Sequence, residues 1–79
     1  MEGVGIRKGD TLIVDRALEA SDGKIVVAIL NGDFTVKRLR IEGEKMFLQA
    51  ENPNYPILPI GKETDFQVWG VVTYVIHKL

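Results

Sequence analysis

Asn31-Gly32-Asp33-Phe34-Thr35-Val36-Lys37-Arg38-Leu39 decides how this chain is read. Asn-Gly is the strongest short hairpin signal, because both central residues of a type I′ turn need a positive φ and these two tolerate it best. Two strands therefore flank it. On the upstream side, residues 24–30 (KIVVAIL) are β-branched and apolar on both parities, as expected of a strand buried on both faces. On the downstream side the strand runs over residues 34–41.

Outward from the hairpin the same grammar repeats. Residues 11–15 (TLIVD) are a short apolar run, and Ser21-Asp22-Gly23 is a turn signal. Glu42-Gly43-Glu44 turns the chain into a strand over residues 45–50. Residues 51–56 (ENPNYP) are irregular, because both prolines remove a donor and fix φ. Residues 57–60 (ILPI) suit an edge strand, where Pro59 is tolerated. Residues 61–65 connect to the longest strand, 66–76, in which Gly70 marks a bulge or bend. No stretch has helical periodicity. The expectation is a small all-β fold of about six short strands, a sandwich or partly open barrel. The last strand is apolar on both parities. An exposed apolar edge invites pairing, so a homodimer or partner interface is expected there, with a central position in the monomer as the alternative.

Seventy-nine residues make one small domain, and 46% apolar residues are normal for a folded one. Ten Lys+Arg against eleven Asp+Glu leave a net charge of -1. A domain built to grip nucleic acid shows a marked basic excess, so direct nucleic-acid binding is not expected. The only basic run, Lys37-Arg38-Leu39-Arg40, reads as an exposed strand face. There is no cysteine, which removes disulfides and thiolate metal sites. No segment reaches the ~20 apolar residues of a membrane span, and no signal-peptide pattern opens the chain. The expected location is the cytoplasm.

Few residues carry chemistry. Gly3-Val4-Gly5 lacks the third glycine of a dinucleotide fingerprint, for Lys8 stands in its place. Gly3, Gly5 and Gly9 read as loop formers. His77 is the only histidine and has no companion ligand, so neither a metal site nor a histidine triad is expected. No cofactor is implied. Lys37 is different. It shares parity with Thr35, Leu39 and Ile41, and alternate strand residues share a face. An apolar row favours the neutral amine. A free lysine titrates near ~10.4, whereas a useful base needs roughly 7–8. Lys37 is either such a base or a solvated strand lysine.

A family resemblance bears on that choice. Residues 5–15 (GIRKGDTLIVD), 23–28 (GKIVVA) and 32–39 (GDFTVKRL) resemble the C-terminal domain of the LexA/UmuD family. Asn52-Pro53-Asn54-Tyr55 and Val68-Trp69-Gly70-Val71-Val72 match its later blocks, in order and at consistent spacing. These are self-cleaving serine peptidases of the bacterial SOS response. The short ending beyond Gly70 is more similar to UmuD than to LexA.

The resemblance implies that Lys37 is the general base of a serine–lysine dyad, taking a proton from the serine hydroxyl. It places that serine immediately before Met1, outside this chain. Ser21, the one serine present, lies away from the nucleophile position. The expectation is thus one domain over residues 1–79, cut just after the serine and inactive as it stands.

Further implications are activation by a RecA–single-stranded DNA filament, dimerisation, and service to a Y-family polymerase in translesion synthesis. The main alternative is the C-terminal domain of a LexA-like or phage-type repressor. A structural dimerisation domain with an inert Lys37 is another. A signal-peptidase-like enzyme shares the dyad logic, but no membrane anchor is present.

Overall fold

A computed structural model describes Ile6, residues 8–50, residues 54–77 and Leu79. Six strands follow in chain order: β1 (Thr11–Asp15), β2 (Ile25–Leu30), β3 (Asp33–Glu42), β4 (Lys45–Gln49), β5 (Leu58–Ile60) and β6 (Phe66–Ile76). They form one antiparallel sheet in the order β1-β6-β2-β3-β4-β5, and no helix occurs among the described residues. β1 and β5 are the outer strands, so the sheet is open rather than a closed barrel. The all-β expectation holds; a second packed sheet is not part of it.

The opening hairpin forms as its sequence requires. Asn31 has φ 50° and Gly32 φ 85°, and Leu30 pairs with Asp33 across the turn. β2 lies between β6 and β3, which explains its two apolar parities: Val26, Val27 and Ala28 are all buried.

β6 is also an interior strand, bonded to β1 on one side and β2 on the other. The expectation of an unpaired apolar edge on this strand is therefore corrected. Its backbone is used within the chain, and only its face remains for a partner. The double parity of β6 has a second cause, a bulge. Val27 pairs with Gly70, but Ala28 pairs with Val68, which leaves Trp69 as the extra residue. The bulge reverses the alternation, so Val68 and Val71 both face the core despite their opposite parity.

Residues directly opposite in an antiparallel pair share a face. One face of the sheet carries the core, formed by Val26, Ala28, Leu39, Leu48 and Val71. Phe66, Val68, Leu30, Ile41, Met46, Ile60 and Ala20 pack around it. The opposite face carries Phe34, Val36 and Val72, and a second bulge, with Thr73 extra between Val72 opposite Val14 and Tyr74 opposite Ile13, turns Tyr74 and Ile76 away from it. Among the described residues no second layer covers it, and Phe34 is 65% exposed.

Candidate active site

Lys37 stands in the middle of β3, opposite Val26 of β2. The hairpin register puts it on the core face, two residues before the buried Leu39. The lysine itself is half-buried. It lines a cavity of about 250 Å³. β2, β3 and β4 contribute Leu30, Thr35 and Leu48, and the connection into β5 contributes Ala50, Tyr55, Pro56 and Leu58. Among the described residues on these walls, the polar side-chain groups are the Lys37 amine and the hydroxyls of Thr35 and Tyr55. Among the described residues Lys37 is thus the one amine facing a mostly apolar hollow.

The strand parity of Lys37 was legible from sequence. Its walls were not. Leu48 and Leu58 are brought there by β-pairing, Leu39 with Leu48 and Leu48 with Leu58. Tyr55 belongs to the Asn-Pro-Asn-Tyr block, and that block is the signal that could have placed it. Asn52 and Pro53 lie outside the described residues, as do Gly3 and Gly5.

Ser21 is exposed in the turn before β2, where its carbonyl accepts from Lys24 N (3.2 Å), and it does not line the cavity. Gly9 has φ 91°, consistent with its reading as a loop former, and Lys8 beside it is an exposed turn residue.

His77 is held at 2.8 Å, Nδ1 to Oδ2 of Asp10, whose side chain is 5% exposed. This contact ties the end of β6 to the entry of β1. Among the described residues no group of three or more His, Asp or Glu is placed to hold a metal ion.

The basic run is not an exposed face. Alternation sends Lys37 and Leu39 to one side and Arg38 and Arg40 to the other, and all four are buried or half-buried. Arg38 donates from Nη1 to Gly23 O at 2.6 Å, and Arg40 donates from Nε to Asp22 Oδ1 at 3.2 Å. Asp22 also accepts from Ile41 N at 2.8 Å. That backbone hydrogen bond, with the neighbouring Arg40 charge, holds the Asp22 carboxyl below its ordinary value of 3.8. The arginines fasten the turn before β2 onto β3, the strand that carries Lys37.

Residues 1–73, Lys37 among them, match the Peptidase S24-like family. The chain belongs to that family. It is 44% identical over 78 residues to a LexA repressor of Ralstonia nicotianae, covering 98% of this chain and 36% of the relative. It is 41% identical over 78 residues to protein SamA of Salmonella typhimurium, covering 99% and 53%. Against protein MucA of Escherichia coli the identity is 43% over 75 residues, covering 94% and 51%. The chain therefore spans between about a third and about half of the length of these S24-like relatives. Among its own described residues, no helix is long and apolar enough to cross a membrane.

Proposed function

We propose that this chain is the peptidase domain of a UmuD-like SOS protein that cleaves its own upstream arm through a serine–lysine dyad. Lys37 is the general base, and the serine is the residue immediately before Met1. The observation that carries this reading is the position of Lys37, half-buried as the one amine among the described residues of a mostly apolar cavity. A serine hydroxyl can pass its proton to a lysine amine only when that amine is uncharged. Membership of the S24-like family and the likeness to SamA and MucA support the same reading.

On this proposal an activated RecA–single-stranded DNA filament favours the docked arm, while the dyad does the chemistry. The processed domain dimerises and serves a Y-family polymerase in the cytoplasm. A repressor context is the second reading, favoured by the likeness to LexA repressors. A helix-turn-helix pattern upstream would select it.

The test is alkaline self-cleavage of the protein carrying its native upstream residues, followed by intact mass. The rate rises with pH between about 7 and about 10, as general-base catalysis requires. Lys37→Ala stops it while the sheet's circular dichroism stays unchanged. Cleavage that survives Lys37→Ala would remove the dyad.

A further inference from the structure

The strands that wall the Lys37 cavity also wall a second one. Leu48 and Leu58 line the Lys37 cavity, whereas Phe47, Gln49, Ile57 and Pro59 line an open cavity of about 460 Å³ on the opposite face of the sheet. Arg40 and Glu42 of β3 complete it. Alternation along β4 and β5 makes them a partition one strand thick between the two spaces. β5 is held by the fewer ladder contacts of the pair. It has three residues, pairs only with β4, and includes Pro59, which cannot donate to a ladder.

The outer cavity states the chemistry of its occupant. Its volume lies in the range of small-molecule sites, roughly 300–1,000 Å³. Phe47, Ile57 and Pro59 give apolar walls suited to a flat ring. Arg40 and Glu42, the charged groups among the described lining residues, are opposite in sign, and the Arg40 charge is also met by Asp22 at 3.2 Å, so no anionic ligand is asked for. Arg40 can donate, Glu42 can accept and Gln49 can do both, a set that matches an amide.

We propose that this outer cavity binds a neutral aromatic amide, and that occupancy shifts β5 and reshapes the Lys37 cavity behind it. The binding half stands on the cavity itself; its effect on self-cleavage rests on the function proposed above.

The probe is N-acetyltryptophanamide, titrated to about 10 mM into the full-length protein and followed by NMR. A ligand of this size fits with a Kd of about 1 mM. Two groups of resonances move together: Phe47, Gln49 and Ile57 at the outer cavity, and Tyr55 and Leu58 at the inner one. Saturation changes the self-cleavage rate at least ~twofold, as expected when the geometry around a base is altered. Ile57→Asp, at an exposed position just before β5, weakens binding at least ~tenfold by placing a charge on an apolar wall. Gln49→Ala does so through the amide contact. No movement of Phe47, Gln49 and Ile57 overturns the site. Movement confined to the outer group, with the cleavage rate unchanged, overturns the coupling. Movement of both groups in a protein that never cleaves upholds the site and the coupling and removes the peptidase reading.

Discussion

Gly70 shows how one residue constrains a neighbouring strand. A Cβ at this buried position would overlap Val14 Cγ1 and lie 3.3 Å from Asp15 O. β1 can therefore lie across the β6 bulge only because no side chain stands there. Gly70→Ala forces β1 outward and costs about 1–3 kcal/mol, in the manner of other overpacked sites. The check is the urea midpoint. Trp69, pushed out of the ladder beside it, is covered by the Arg16 guanidinium 4.3 Å from its ring centroid, with Phe34 edge-on at 6.0 Å. Loosening β1 is also expected to change the tryptophan fluorescence.

Asp22 sets a pH limit on the same scale. Its folded-state pKa is lowered, first by the Ile41 N hydrogen bond and then by Arg40. A depressed carboxyl contributes stability that is present above its unfolded value and is lost as pH falls through the folded one. The contribution is therefore full at neutral pH and fades below its ordinary value of 3.8. Asp22→Asn lowers the melting temperature at neutral pH, and the gap to the parent narrows in acid. A gap that stays constant with pH would show that the carboxylate charge is not what holds this turn.

At the scale of elements, the β2–β3 hairpin sets the position of Lys37. Its register follows from the two positive-φ residues at the tip. Gly32→Val puts a β-branched residue at φ 85° and costs about 1–2 kcal/mol. On the proposed function it is also expected to slow self-cleavage in the complete protein, because Lys37 and Leu39 are placed by the same register. A thermal melt run beside a cleavage assay separates the two effects. A loss of stability with cleavage unchanged would show that the register survives without the turn. The turn over residues 21–24 reinforces this hairpin from the other end. Gly23 N donates to Leu39 O and Leu39 N donates to Lys24 O, each at 2.8 Å.

The whole molecule is one sheet with a core on one face. A domain of this size buries only about 60% of its unfolded surface, and at its β1–β6 end one face carries Tyr74 and Ile76 in exposed positions. Ile13, opposite Tyr74, is exposed as well. With both edges of β6 occupied, a second copy is expected to meet this face rather than extend the sheet. Sedimentation at rising concentration should give a dimer mass, and Tyr74→Arg should weaken it at least ~tenfold, since aromatic anchors dominate such contacts. A mass that stays monomeric at every concentration would sink the dimer.

The sequence by itself determined what is local: six strands near their observed bounds, the Asn31-Gly32 turn, the irregularity at Gly70 and the face on which Lys37 lies. Each follows from backbone preference or alternation within a few residues, which need no distant partner. The tertiary structure decided what depends on long-range pairing. It placed β6 between β1 and β2, although some fifty residues separate it from β1 in the chain. It brought Leu58 and Tyr55 beside Lys37 and drew Arg38 and Arg40 onto the turn at Asp22 and Gly23. Strand order is chosen by which apolar faces and ladder groups satisfy each other across the whole sheet. That choice is made only when all six strands are present.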